Sequence, residues 1–533
     1  MPAYWLEAFV VLAALVLLML EVFLPKQNKG FTAWAGVLVC AIAFVGLFLA
    51  KPPVVHEVTT ATPILLPEAA PVPDQAVIVD SPDGATALVP DPEPELSVLV
   101  KTEDRHLTEM ARFYSFDQVA RFFKGLVLLA AILALILGLE YRKTLSRFTA
   151  NPDSEDGTAE YYCLILFATA GMMWMASARD LVSLFVSLEL TTITSYILVG
   201  FMRRNVGSLE AGVKFLILGA LSTGFLVYGI AWIYGATGTT DLGLIEEAMD
   251  SANQTYLLFG LALILISIAF KVGAVPMQLW IPDVYQGAPT PTTAFLSVAS
   301  KAAGFAIALR VLQPFFHSSH LAGKAVFITA ILAGATVLFG NLAALPQKNF
   351  KRLLAYSSIA NAGFILMAIA GWNSEVAYGL STPEVVALYL GIYLLMTFAA
   401  FFLLAAIQRD SGTDEISAFE GLGTRSPSLA LMATIVIGAL AGLPLTAGFW
   451  GKFLAFQAAV DAQLWVPVIL GFIGVAAGFY YYFQIIQAMY FRKSTRTEEL
   501  TLSFASEVVL TSLTVLIVIL GFFPAPITWL LGV

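Results

Sequence analysis

Five ionisable side chains lie inside stretches of sequence that are otherwise apolar. They are one carboxylate and four amines: Glu189, Lys214, Lys271, Lys301 and Lys452. A charge at the centre of a membrane helix costs about 2.5–3.5 kcal/mol on insertion scales, so residues of this kind usually serve transport. Burial lowers the pKa of a lysine and a nearby carboxylate raises it, so a lysine beside a negative charge can take up and release a proton. The five residues therefore predict a proton relay.

Within this relay we expect Glu189 to pair with Lys271 as a switch. Lys301 lies near the middle of its apolar span among small residues, too deep for its amine to reach the membrane surface, and is expected to pass the proton on. Lys452 is expected to release it outward. For Lys214 and Lys452, which lie nearer to span ends, anchoring at the membrane surface is the alternative interpretation.

The composition indicates where these residues act. The chain of 533 residues is 59% hydrophobic and 12% charged, with a mean hydropathy of +0.83. Apolar runs of about 20 residues recur along the sequence, each long enough to cross a bilayer. The sequence therefore predicts an all-α polytopic membrane protein that forms one helical bundle.

The same sequence predicts no cofactor on this chain. The two cysteines, Cys40 and Cys163, fall in separate apolar spans and form no CxxC or zinc-ligand pattern. No nucleotide-binding glycine motif is present. We therefore expect no electron transfer on this chain, and a partner protein must supply the driving energy.

About fourteen membrane spans are predicted. They cover residues 5–24, 31–50, 122–140, 161–177, 180–202, 209–235, 257–281, 292–314, 325–345, 353–371, 384–407, 428–457, 464–490 and 505–531. Of the 28 basic residues, fifteen fall in alternate loops, which would face inward if the N-terminus is outside. We therefore expect both termini to lie outward. Separately, we expect a bacterial inner membrane rather than an organellar one.

Two prolines interrupt spans at corresponding places. Pro276 lies in span seven and Pro444 in span twelve, and each is expected to break its helix because proline lacks a backbone donor. Paired interruptions of this kind indicate an inverted-repeat transporter with its path at the breaks. The predicted five-helix repeats are spans 4–8 and 9–13.

The domain organisation follows from these spans. Residues 1–50 form two N-terminal helices and residues 122–150 form the third helix with an inward loop. Between them, the acidic and proline-rich residues 51–121 predict an unfolded outward loop. The remaining predicted segments are the first repeat at 151–320, the second repeat at 321–496 and the last helix at 497–533.

Three stretches resemble a known family. AFKVGAVPMQLWIPDVYQGAPTPTTAFLSVASK, KNFKRLLAYSSIANAGF and GLPLTAGFWGKF are similar to the antiporter-like membrane subunits of respiratory complex I, the proton-translocating NADH-quinone oxidoreductase. The similarity spans residues 122–500 and is strongest to the subunit N branch, the counterpart of mitochondrial subunit 2.

The resemblance implies a function and partners. It implies fourteen helices with two inverted repeats, and a proton path that maps onto the five ionisable residues. It also implies FMN, iron–sulfur clusters and quinone in partner subunits, a neighbouring antiporter-like subunit M, and small K/J/A/H-type subunits. Family members often have a histidine where this chain has Asn361, which cannot titrate. A water link beside Ser357 and Ser358 is expected to replace it.

Three alternatives differ from this assignment in mechanism. A subunit of a multisubunit cation/proton antiporter of the Mrp type would use the same lysines but would require Na⁺ or K⁺ and not NADH. A membrane subunit of a related hydrogenase or ferredoxin-driven complex would take electrons from another donor. A structural scaffold would tolerate the loss of Lys301, although five intramembrane charges argue against a purely structural role.

Overall fold

The chain folds into a bundle of helices. The computed structural model describes residues 2–21, 30–51, 112–149, 158–372, 379–493, 500 and 502–523. Within these ranges all regular elements are helical, which confirms the predicted all-α membrane fold. The principal helices are α1 (Trp5–Glu21), α2 (Gly30–Leu49), α3 (Gln118–Arg147), α4 (Thr158–Ser177), α5 (Leu181–Val199), α6 (Val206–Thr237), α7a (Gln254–Val272), α7b (Trp280–Gly287), α8 (Thr290–His317), α9 (Ala322–Ala344), α10 (Phe350–Ala370), α11 (Thr382–Ser411), α12a (Pro427–Ala441), α12b (Ala447–Asp461), α13 (Trp465–Phe491) and α14 (Phe504–Phe522). Short helices at Leu242–Ala248, Ile416–Phe419 and Leu422–Arg425 lie between them.

Every predicted span contains a helix. By length and composition, 12 helices of the described chain could each cross a membrane, and two shorter apolar helices cover Trp5–Leu20 and Pro427–Ala441. The number of helices that cross the membrane, and their direction, stay predictions.

Both predicted helix breaks are present. Helix α7a ends at Val272 and is followed by Gly273 with φ +79°, and α12a ends before Gly442 with φ +90°. Glycine adopts this left-handed conformation without steric cost, so each glycine turns the chain out of its helix. Pro276 and Pro444 lie in the segments that follow, before α7b and α12b begin.

Helix packing follows the same order in the two predicted repeats. In the first, α4 contacts α5, α5 contacts α6, and α6 contacts α7a; in the second, α9 contacts α10, α10 contacts α11, and α11 contacts α12a and α12b. Helix α7b joins the two sets because it contacts both α6 and α10. Two structural repeats would produce this shared order of helix contacts. The inverted symmetry of the repeats and the limits of the domains stay predictions.

The segment between the second and third spans differs in part from its predicted form. Helix α3 begins at Gln118 and not at residue 122, because the Asp117 carboxylate accepts a hydrogen bond from the Ala120 N–H at 2.7 Å and caps the helix. Tyr114 bridges to Ala178 at the end of α4, so the last residues of the predicted 51–121 loop belong to the folded bundle. Residues 52–111, the rest of that predicted loop, lie outside the described chain, as do residues 524–533 of the predicted last segment.

Candidate functional site

A charged cleft opens where the ends of several helices meet. Its volume is about 810 Å³ and its lining includes charged side chains of α3, α6, α7b, α10 and α11. Lys214 contributes from α6, with its amine 2.8 Å from the Glu210 carboxylate and 2.8 Å from the Asp283 carboxylate. The other Asp283 oxygen accepts a hydrogen bond from Arg352 at 2.8 Å. The cleft lies at the end of the bundle that the loop charges predict to face inward.

Glu189 lies deeper in the bundle, on α5. Its side chain is partly buried, and its Oε1 accepts a hydrogen bond of 2.6 Å from the Thr223 hydroxyl on α6. The hydroxyl satisfies one lone pair of the carboxylate within the protein, which lowers the cost of its burial. Glu189 therefore has a polar partner between two helices of the first predicted repeat.

Lys271 is buried near the end of α7a and is 5% exposed. Its amine contacts the Thr192 hydroxyl of α5 at 3.5 Å, and Thr192 lies one helical turn from Glu189 on the same face. No ion pair within 4.0 Å joins Glu189 to Lys271 in the described residues. The structure thus brings both members of the expected pair to one face of α5, with hydroxyl groups as their direct partners.

Lys301 is buried in the middle of α8 and is 3% exposed. It follows a π-helical turn at Leu296–Ser300, a feature that often occurs at functional sites. Its amine donates a hydrogen bond to the backbone carbonyl of Ser358 on α10. A Cβ atom at Gly273 would lie 3.7 Å from this amine, so Lys301 lies against the break between α7a and α7b.

Buried hydroxyl and amide groups continue from Ser358 along α10. The Tyr285 and Ser358 hydroxyls are 3.2 Å apart, and the Ser357 hydroxyl contacts that of Tyr482. The Asn361 amide donates to the Ser357 carbonyl at 2.8 Å. On its other side, the Asn361 oxygen accepts a hydrogen bond of 2.8 Å from the Tyr389 hydroxyl of α11.

Lys452 lies at the second helix break. Its amine donates to the carbonyls of Leu440 and Ala441 at 3.0 and 2.8 Å, the last carbonyls of α12a. It also lies 5.5 Å from the centre of the Phe364 ring of α10. The lysine therefore satisfies backbone groups that the break leaves without helical partners. These contacts are made within the bundle and not at a span end, where anchoring was the alternative expectation.

The polar side chains from Lys271 through Lys301 to Lys452 form a row. Its charged members and Ser357, Ser358 and Asn361 were predicted from the sequence, but its tyrosines were not. Tyr285, Tyr389 and Tyr482 were missed because tyrosine is an ordinary residue of membrane helices. Asp283 carried a usable signal, since it is an acid in an apolar stretch directly after a predicted break. The expected water link at Ser357, Ser358 and Asn361 coincides with hydrogen bonds between protein groups.

A second buried charge cluster lies outside the predicted relay. Lys124 of α3 is fully buried and its amine is 2.5 Å from the Glu7 carboxylate of α1. The Tyr114 hydroxyl contacts both the amine and the carboxylate. Lys124 lies inside a predicted span, so the signal that identified the other lysines could also have found it.

The described residues offer no evident metal centre. Among them, no group of three or more histidine, cysteine, aspartate or glutamate side chains could hold a metal ion. Cys40 and Cys163 are both buried. The polar side chains described above at the site carry amine, carboxylate, hydroxyl and amide groups.

Known proteins are similar to this chain in sequence and fold. A chain named NADH-quinone oxidoreductase subunit N from Desulfitobacterium hafniense is 37% identical over 425 residues, which cover 78% of this chain and 84% of the relative. A chain of respiratory complex I from Thermus thermophilus has a TM-score of 0.71 and 30% identity, and the match covers 98% of this chain and 97% of that one. A chain of an archaeal membrane-bound sulfane sulfur reductase has a TM-score of 0.78 and 26% identity, with 99% and 96% covered.

A protein-family description also fits more than half of the chain. The family described as NADH:quinone oxidoreductase/Mrp antiporter, TM, matches residues 178–478. This range begins before α5 and ends within α13, so it contains all five ionisable residues and both helix breaks. The chain belongs to the NADH:quinone oxidoreductase/Mrp antiporter family of membrane proteins.

Proposed function

We propose that this chain is a proton-translocating membrane subunit of NADH-quinone oxidoreductase, respiratory complex I. The observation that carries the proposal is the row of amines, hydroxyls and amides from buried Lys271 through buried Lys301 to half-buried Lys452. Its members bridge the two helix breaks, as expected for a transport path. The relatives named subunit N support the assignment to this enzyme rather than to an antiporter.

The proposed path begins at the charged cleft. Lys214 and Asp283 would exchange protons with the inward solution, and Glu189 with Lys271 would form the first buried station. Lys301 would receive the proton at mid-membrane. Serine, asparagine and tyrosine groups along α10 and α11, with water among them, would conduct it to Lys452, which would release it outward.

The direction of transfer needs an energy source outside this chain. Moving one charge against 100 mV costs about 2.3 kcal/mol, and a row of proton-carrying groups does not supply this energy itself. We propose that quinone reduction in partner subunits biases the relay. FMN, the iron–sulfur clusters and quinone would belong to those partners, with subunit M and the small K/J/A/H-type subunits as the neighbours in the membrane.

The proposed orientation in the membrane follows from the loop charges. Both termini would lie on the outward side of a bacterial inner membrane, and spans 4–8 and 9–13 would form two inverted repeats around the path. The similar order of helix contacts in the two sets supports the repeats. Labelling of single cysteines introduced into the predicted inward and outward loops, in intact and inverted vesicles, would test the orientation.

The function is tested by NADH-driven acidification of inverted membrane vesicles that carry the whole complex with Lys301→Ala. Loss of acidification, with assembly intact on a native gel and quinone reduction still measurable, is the expected result. Lys324→Ala is the matched control, because Lys324 is an exposed lysine on α9 away from the row. Unchanged acidification in Lys301→Ala would instead support a scaffold.

The same vesicles discriminate the antiporter alternative. Complex I activity predicts acidification that depends on NADH and is indifferent to Na⁺ and K⁺. A proton gradient that responds to added Na⁺ without NADH would assign the chain to the antiporter branch of the family. Acidification driven by a ferredoxin or hydrogen donor, and not by NADH, would assign it to a complex with another electron source.

A further inference from the structure

A second cavity lies away from the charged row, between α2, α3, α11 and α14. Its volume is about 570 Å³. Phe48, Leu129, Leu394 and Leu520 contribute to its lining, one from each helix. Phe48 is 64% exposed, so the cavity is an open groove on the side of the bundle.

The groove has one polar end. Of the described residues that line it, only Gln118 and Arg121 carry polar side chains, and both lie in the first turns of α3. From Gln118 to Leu129 the helix rises about 16 Å, because each helical residue adds about 1.5 Å. This length corresponds to one leaflet of a hydrocarbon core about 30 Å thick. The groove therefore has the dimensions and polarity of one acyl chain with a charged headgroup.

Among the described residues, Arg121 has no anionic partner. Its guanidinium lies 5.2 Å from the centre of the Phe116 ring, and no carboxylate of the described residues lies within 4.0 Å of it. The nearby Arg310 differs, since it is paired with Asp117 at 3.0 Å. A planar guanidinium suits the two oxygens of a phosphate.

Two glycines widen the groove. A Cβ atom at Gly391 would lie 3.6 Å from the Phe122 ring, and one at Gly125 would lie 3.4 Å from the Phe44 ring. These are ordinary contact distances, so a side chain at Gly391 would occupy the groove without displacing the backbone. A larger side chain at Gly391 would therefore narrow the groove, and this substitution can test what the groove binds.

We propose that this groove binds one phospholipid, with an acyl chain between α2 and α11 and its phosphate on Arg121. In the proposed orientation the lipid belongs to the outward leaflet. Residues 52–111 connect to helices beside the groove, but their acidic and proline-rich sequence suits neither the hydrocarbon depth nor the apolar lining. The lipid would seal the contact between the two N-terminal helices and the second repeat.

The test uses the whole complex, reconstituted with phosphatidylglycerol that carries a photoreactive group in its acyl chain. Mass spectrometry of the crosslinked peptides should locate the label on α2, α3 and α11 at the groove. In Gly391→Leu the groove label should fall at least fivefold, and in Arg121→Gln at least threefold. Gly323→Leu and Lys324→Gln are the matched controls at open and exposed positions, and should keep the wild-type labelling.

Three results would overturn the proposal. Groove labelling no higher than on the exposed face of α13, in a complex that assembles on a native gel, would mean that another occupant fills the space. Equal labelling in Gly391→Leu and the wild type would mean that the label does not enter the groove. Competition by unlabelled quinone, but not by unlabelled phosphatidylglycerol, would assign the groove to a quinone tail.

Discussion

Two buried lysines of the bundle have opposite surroundings. Lys124 has the Glu7 carboxylate 2.5 Å from its amine, whereas Lys301 has a backbone carbonyl of α10 as its partner and no carboxylate within 4.0 Å among the described residues. A carboxylate stabilises the charged amine much more strongly than the neutral one. A carbonyl accepts a hydrogen bond from the ammonium and from the neutral amine alike, because both forms carry N–H groups. The first arrangement fixes a charge, and the second leaves it free to change.

Lys452 resembles Lys301 because its amine also donates to backbone carbonyls. Its partners are the carbonyls of Leu440 and Ala441, which remain satisfied in either protonation state. Lys124 connects α1 to α3, outside the family match at residues 178–478. Lys124 and Glu7 thus form an ion pair that holds two helices together, whereas Lys301 and Lys452 are amines suited to proton transfer.

The largest effect is expected from breaking the ion pair. Lys124→Met leaves the Glu7 carboxylate buried without a cation, and removing one member of a buried pair typically costs about 3–5 kcal/mol. We expect little assembled complex on a native gel and a lower melting temperature. Residual assembled complex should pump the same number of protons per NADH as the wild type.

The double variant Glu7→Leu with Lys124→Met is the control for this prediction. It removes both charges, so assembly should recover for the most part. Assembly that stays low in the double variant would show that packing around Lys124, and not the unpaired charge, decides stability. Loss of pumping in assembled Lys124→Met would contradict a structural role.

The next largest effect concerns pumping and not assembly. Lys301→Arg keeps a cation and hydrogen-bond donors beside the Ser358 carbonyl, but arginine does not lose its proton in proteins. We expect a complex that assembles normally and shows little acidification per NADH oxidised. Lys324→Arg, at an exposed site, should behave as the wild type. Normal pumping by Lys301→Arg would show that a fixed charge suffices and that proton loss at this position is not required.

Lys452 both stabilises the end of α12a and is proposed to carry a proton, and two substitutions separate these roles. Lys452→Ala removes the donor from the carbonyls at the end of α12a, at a cost of about 1–3 kcal/mol, and removes a proton carrier. Lys452→Arg keeps donors and charge. We expect both variants to lose pumping, and only the alanine variant to melt at a lower temperature. Equal melting of the two variants would mean that the break is stable without this contact.

The sequence predicted the parts of the site that depend on local signals. Pro276 and Pro444 interrupt apolar spans, and both helices end just before them. The sequence could not show that the Thr192 hydroxyl would contact the Lys271 amine, because this depends on the rotation of α5 against α7a. Such rotations are set by packing between helices, and packing is not visible in the composition of one helix.

The sequence also does not show which tyrosines are buried. Tyr389 of α11 and Tyr480 of α13 lie in equally apolar stretches, but the first is buried against Asn361 and the second is 60% exposed. The hydrophobic pattern of α11 does not distinguish its faces, since protein surrounds nearly all of it. Which tyrosine joins the row is therefore a property of the bundle.

The smallest effect is expected at Tyr389, whose hydroxyl donates to Asn361 at 2.8 Å. Tyr389→Phe removes one hydrogen bond, worth about 0.5–1.5 kcal/mol, and leaves the amines in place. We expect the initial rate of acidification to fall about two- to tenfold, since about 1.4 kcal/mol corresponds to a factor of ten. Tyr480→Phe is the matched control and should pump at the wild-type rate. Equal rates in the two variants would place the transfer from Lys301 to Lys452 on another set of groups, because a hydroxyl within the path cannot be removed without cost while an exposed one can.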